Sequence, residues 1–189
     1  MINNELYVSI DVETDGPIPG EYSMLSIGSA IFDSLGNIVG KFERNLKELP
    51  NATQDKETMD WWATEPKAWK YCRKNPIDAD KVMRSYLRHL LGIKKTHRKD
   101  LVCIGYPITF DFMFVYWYLI RFTGKSPFSF SGIDIKTIAM AVMKSSYKNA
   151  SKKHMPTHWF TNVTNHSHTP LDDAIEQGYL FCNILKEIY

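Results

Sequence analysis

Leu6-Tyr7-Val8-Ser9-Ile10-Asp11-Val12-Glu13-Thr14-Asp15-Gly16 runs from a mostly apolar segment straight into a pair of acids. The apolar part reads as a strand. Residues two apart on a strand face the same way, so Asp11 and Glu13 project together if the strand persists that far. Carboxylates held side by side repel unless a cation sits between them. Oxygen donors of this kind suit Mg²⁺ or Mn²⁺ better than the thiolate- and imidazole-preferring metals. Two solvated acids at a strand end give the same Asp-x-Glu pattern, so the pair alone decides nothing.

Working outward, Met24 to Phe32 is small and apolar with Gly28 inside it. After the turn Ser34-Leu35-Gly36-Asn37, Ile38 to Leu46 alternates as a half-exposed strand does. Short connections make these neighbouring antiparallel strands. A helical zone follows. Thr58 to Ala63 forms a short helix, Glu65-Pro66 restarts one, and Asp78 caps a third. Val82, Met83, Tyr86, Leu87, Leu90 and Leu91 mark its buried face, with Gly92 as its end. The basic run Lys94 to Lys99 is read as a turn into a buried strand, Leu101 to Ile104. Asp111 to Thr123 is apolar nearly all round and stops at Gly124, so a buried helix is expected. Ile133 to Ile135 is a further strand, Lys136 to Lys144 a helix, residues 145–167 a long polar loop, and Pro170 to Glu187 the last helix. Strands first, then alternating helix and strand, indicate a mixed sheet with helices packed on it.

With 189 residues, 44% hydrophobic and 23% charged, the chain reads as one domain able to bury a core without staples. A net charge of +2 lacks the signature of a protein that coats nucleic acid, so any such contact is local. Cys72, Cys103 and Cys182 are far apart, which argues against a disulfide framework or a cysteine zinc site and fits a reducing compartment. Residues 1–5 lack the features of a signal peptide, and no apolar run reaches the ~20 residues of a membrane span. A cytoplasmic location is expected.

Two further places hold chemistry. Asp111 stands between Phe110 and Phe112 at the head of its helix, where an acid also serves as a cap or a dipole partner. Thr169-Pro170-Leu171-Asp172 fits a helix start, with Thr169 as N-cap and Asp172 closing a capping box, which leaves Asp173 for chemistry. Leu171, Ala174, Ile175, Gly178 and Cys182 form the core-facing stripe, and Asp173 lies off it. His168 falls just before this helix, where a lone histidine is ordinarily a surface residue. An acid five residues on makes it of interest. His154 and His158 are four apart, but Pro156 between them disfavours the helix a zinc pair needs.

Across its length the chain resembles the DEDD-type 3'-5' exonucleases of the ribonuclease H-like superfamily, in the subclass whose last motif carries histidine. The matching segments are Asp11-Val12-Glu13-Thr14-Asp15-Gly16 with Leu25-Ser26-Ile27-Gly28, then Thr109-Phe110-Asp111-Phe112-Met113-Phe114, then His168-Thr169-Pro170-Leu171-Asp172-Asp173-Ala174. The resemblance implies an α/β fold: a mixed five-stranded sheet, its first three strands antiparallel, with helices on both faces. It implies two Mg²⁺ or Mn²⁺ ions per site, bound by Asp11, Glu13 and Asp173 with Asp11 bridging. Asp111 would complete the cluster directly or through water, and His168 would be the general base. Two ions about 4 Å apart clamp the attacking and leaving oxygens of an in-line displacement at phosphorus. Pro170, where the family more often has alanine, and Tyr106-Pro107 before the second motif depart from its pattern.

The implied substrate is the 3' end of single-stranded RNA or DNA, and the product a nucleoside 5'-monophosphate. Phe110 and Phe114 are candidates for base stacking, beside Trp61, Trp62 and Trp159, although aromatic residues are mostly core. Lys152 and Lys153, with Lys148 and His154, are the better candidates for gripping the backbone than Lys94, Lys95, Arg98 and Lys99, which also read as a solvated turn. Other readings are a nucleic-acid-binding or polymerase-associated subunit without activity, and a phosphodiesterase for very short oligonucleotides. Oligomeric state stays open, a homodimer included.

Overall fold

The computed structural model describes residues 4–161 and 169–189. Strands β1 (Glu5–Thr14), β2 (Met24–Phe32) and β3 (Ile38–Asn45) form an antiparallel meander. β4 (Asp100–Gly105) and the two-residue β5 (Ile133–Asp134) add in parallel on the other side of β1, giving the order β3-β2-β1-β4-β5. This is the mixed five-stranded sheet that the resemblance implies.

The period-two alternation of β1 decides what lies on each face. Leu6, Val8, Ile10 and Val12 pack with α3 (Ala79–His97) and α4 (Ile108–Thr123) in one core cluster. Tyr7 points the other way, onto α6 (Pro170–Leu185), where its ring meets Phe181 at 4.8 Å, and α5 (Ile135–Val142) shares that second cluster. β2 is covered on both sides, so all nine of its residues are buried and it reads as a continuous apolar run. Full burial of Leu180, Phe181 and Ile184 on α6 stabilises its docking by roughly 1.5–3 kcal/mol each. α1 (Lys56–Thr64) and α2 (Pro66–Cys72) close a small cluster around Leu25 and Trp62. Asp55 starts α1 by accepting from the Thr58 nitrogen and hydroxyl, both at 2.8 Å.

Several local expectations change. α3 runs through Gly92, whose surroundings are open, and ends at Arg98 in the left-handed region; Lys94, Lys95 and His97 belong to its last turn, where cations meet the negative dipole end. α4 begins at Ile108, so Asp111 sits inside the first turn and is not its cap. Nor is α4 buried all round: Phe110, Met113 and Ile120 face outward. The segment after α5 is not wholly irregular, since short 3₁₀ turns at Tyr147–Asn149, Lys152–His154 and Thr157–Phe160 seat Ala150, Met155 and Trp159 in the core. Thr169 precedes α6 without a capping box; its hydroxyl donates to Asp172 at 2.7 Å.

Candidate active site

The site is built where β1 outruns its parallel neighbour. Pairing of β1 with β4 stops at Ser9 and Ile104, whereas pairing with β2 continues to Thr14. The last residues of β1 therefore lack a strand partner on the β4 side. Asp111 fills that gap: its Oδ1 accepts from the Val12 nitrogen at 3.0 Å, and the side chain is buried. The start of α4 is fixed by Asp134 at the end of β5. One oxygen of Asp134 accepts from the Ile108 nitrogen at 3.2 Å, and the other caps α5 through Thr137 at 2.7 Å.

The third acid arrives on α6. Asp11 is the register partner of Gly28 on β2. A Cβ on Gly28 would overlap the Pro170 carbonyl and the Leu171 nitrogen, so glycine is what admits the start of α6 against the sheet. About two turns further along the helix, Gly178 does the same beneath the Phe32 ring. Asp173 is only 4% exposed, which corrects its placement off the packed face of the helix. Gln177, one turn after Asp173, was not singled out from sequence. Its Nε2 donates to Asp11 Oδ1 at 2.9 Å while its Oε1 accepts from the Tyr106 nitrogen at 2.8 Å. The available signal was its spacing of four from Asp173 along one helix face.

Electrostatics tie the four acids together. Asp11 is pushed well above the usual carboxylate range by burial and by the charges of Asp111, Glu13 and Asp173, with the Gln177 hydrogen bond opposing. Glu13 is raised to about 8 by burial and by Asp173 and Asp111. Burial lifts Asp111 to about 7 against the pull of the Val12 N–H. Among the described residues no three His, Cys, Asp or Glu side chains are already closed around one ion position. The donor chemistry nonetheless fits a hard divalent cation: four carboxylates converge, and their repulsion is what such an ion relieves.

A pH dependence follows from the raised values. Folding holds protons on Glu13 and Asp111 that the unfolded chain, with pKa values near 4, releases. Their contribution is full below about pH 4 and is lost as pH rises through about 7 and 8. The metal-free protein should therefore melt progressively lower as pH rises from about 5 to about 8, above the unfolded carboxylate values near 4. Mn²⁺ at about 100 times its Kd should restore ~2.7 kcal/mol, or about 5–10 °C. A melting point that is flat with pH and indifferent to Mn²⁺ would contradict the carboxylate cluster.

Of the expected recognition residues, Phe114 is fully buried and is a core residue, a correction of its reading as a stacking platform. Phe110 is partly exposed and packs on it at 5.2 Å. Lys152 is also corrected: its ammonium pairs with the buried Glu176 at 2.6 Å and lies 5.4 Å from the centre of the Tyr106 ring, anchoring the 3₁₀ segment to α6. Lys153 is exposed. Trp62 and Trp159 are core, while Trp61 is half-exposed. His168 and His166 lie outside the described residues. No helix among the described residues is long and apolar enough to cross a membrane.

A sheet of this order, with acids from β1, α4 and α6 gathered at the end of its central strand, is a ribonuclease H-like fold with an acidic site built on it. A family model, the 3'-5' exoribonuclease Rv2179c-like domain, matches residues 6–185. The chain belongs to that family and is a 3'-5' exonuclease. It is 27% identical over 181 residues to the 3'-5' DNA exonuclease Cap18 of Escherichia coli, covering 95% of this chain and 91% of that protein. Among solved structures it resembles the nuclease domain of 3'hExo, a DEDDh family member bound to rAMP, with TM-score 0.64, 9% identity, and coverage of 97% of this chain and 92% of that one. It also resembles Pop2p of S. pombe in its Mg²⁺- and Mn²⁺-bound form, with TM-score 0.60, 14% identity, and coverage of 94% and 82%. At these identities the structural likeness is one of fold.

Proposed function

We propose that this chain, acting as one catalytic domain, removes nucleotides from the 3' end of single-stranded nucleic acid, releasing nucleoside 5'-monophosphates. Asp11, Glu13, Asp111 and Asp173 hold two Mg²⁺ or Mn²⁺ ions, and His168 is the general base. The observation that supports this reading is the convergence of carboxylates from β1, α4 and α6 at the end of β1, where hydrogen bonds hold Asp11 and Asp111 in place and the acids repel one another. Such ions, when bound, neutralise the phosphate and orient the attacking and leaving oxygens.

The chain's own groups do the rest. Gln177 and the Val12 N–H each hold one oxygen of Asp11 and Asp111, which fixes how those carboxylates are presented. Imidazole, whose reference pKa is about 6.5, suits His168 to take the proton of the attacking water at neutral pH. The family description names an exoribonuclease and the E. coli relative is a DNA exonuclease, so either sugar is included.

Matched RNA and DNA strands with either end blocked provide the test. In Mn²⁺, strands with a free 3' hydroxyl should be shortened and those blocked there should persist, and His168→Ala should slow the reaction by roughly 10²–10⁴-fold. Calorimetry should find Mn²⁺ affinity little changed in that variant. Digestion from the 5' end, or an undiminished His168→Ala rate, would refute the assignment.

A further inference from the structure

The strand that feeds this site has to leave it, and the surroundings of the acids differ from side to side. Towards α4 the exposed groups are apolar, Phe110 and Met113 among them. On the far side lies β3, the edge strand of the sheet. Glu43, Gly28 and Asp11 are register partners in one row across β3, β2 and β1, and Arg44, Ile27 and Val12 form the next. Two strand spacings put β3 roughly 10 Å from β1. Beyond that edge is a groove of about 430 Å³ lined by Lys41, Glu43, Arg44, Ser85, His89 and Leu171. Leu171, one of the lining residues, is in the first turn of the helix that carries Asp173.

Its lining suits an anion. Lys41 and Arg44 lie three apart on β3 and so face opposite sides of the sheet, straddling the edge. Neither has an ion-pair partner among the described residues, whereas Lys47, Arg73, Lys81 and Arg84 in the same region do. Arg44 is held in place: its guanidinium packs 5.5 Å from the centre of the Phe42 ring and donates to the Glu43 carbonyl at 2.7 Å. The single carboxylate of the lining, Glu43, accepts from the Tyr71 hydroxyl at 2.8 Å. His89 also lines the groove, its Nε2 enclosed with no hydrogen-bond partner among the described residues.

We propose that this groove grips the backbone phosphates of the substrate strand upstream of the bond being cleaved, with Lys41 and Arg44 as its cationic contacts. The proposal rests on the exonuclease reading. It makes the enzyme prefer strands long enough to cross the edge of β3 over dinucleotides, for RNA and DNA alike, because the contact is to phosphate and carries no base or sugar information.

The test compares kcat/KM on a dinucleotide and on a ten-nucleotide strand, for the wild-type protein and for Lys41→Gln/Arg44→Gln, with melting temperature as the check on folding. Removing two phosphate contacts should flatten the salt dependence on the longer strand by roughly 0.7 per cation. At 0.1 M salt the same slope corresponds to a loss on the order of 20-fold in the ratio of long-strand to dinucleotide kcat/KM. Lys41→Arg/Arg44→Lys should keep most of that ratio. A ratio unchanged in the glutamine variant, or rates falling equally on both substrates, would overturn the groove. Wild-type cleavage of the dinucleotide verifies the exonuclease reading separately from either outcome.

Discussion

Asp11→Asn is expected to lower turnover by at least about a thousandfold while making the metal-free protein more heat-stable. The first effect follows because ion-assisted charge stabilisation at phosphorus is worth several kcal/mol, and each 1.36 kcal/mol is about tenfold in rate. The second separates a functional carboxylate from a structural one. Burial and three neighbouring acids oppose a charge on Asp11, so a neutral isostere removes that cost while its amide oxygen still accepts from Gln177. A gain of about one or two kcal/mol amounts to about 2–8 °C in a chain of this size. Initial rates on a labelled strand and melting curves in EDTA at pH 8 check both. Near-normal turnover, or a drop in melting temperature, would place Asp11 outside the chemistry.

Gly28→Ala should be the most damaging single methyl group in the chain. The added carbon meets backbone, not a flexible side chain, because the Pro170 carbonyl and Leu171 nitrogen stand directly over this position. Overpacking typically costs about 1–3 kcal/mol, occasionally more. Here the α6 start has to lift from β2, which points to roughly 3 kcal/mol or more and a melting point about 6–12 °C lower. Asp173 moves with that helix, and a displacement near 1 Å at a reacting centre can cost on the order of 10²-fold. Gly92→Ala, where nothing lies within 4 Å, is the control and should be silent or mildly stabilising. Equal behaviour of the two variants would mean that the close approach at Gly28 does not position the site.

The parts legible from sequence were those with a period or a spacing. β1 and β2 read correctly because alternation and continuous burial leave a hydrophobic pattern, and the acid pair at the end of β1 falls on one face for the same reason. The termini of α3 and α4 misread because local signals compete with tertiary ones. Gly92 resembled a stop, yet the cations that follow it suit a last helical turn. Asp111 looked like a cap, yet its partner is a strand nitrogen 99 residues away. Lys152 looked like a phosphate contact because nothing in the sequence announces that Glu176 is buried beside it. Phe114 and Phe110 belong to the same aromatic helix, and only packing separates the core ring from the exposed one.

Gln177 has a consequence of its own. A carboxamide is a polar adaptor with unlike ends, and the Tyr106 N–H can donate only to the carbonyl end, so the amino end is turned towards Asp11. The orientation of a carboxyl oxygen at the heart of the molecule is thus dictated by a main-chain proton on a different segment. A glutamate there would present like charge to like, and a methionine would leave both contacts unanswered. The helix, the strand and the β4–α4 junction are consequently tied to one another through a single amide of fixed polarity.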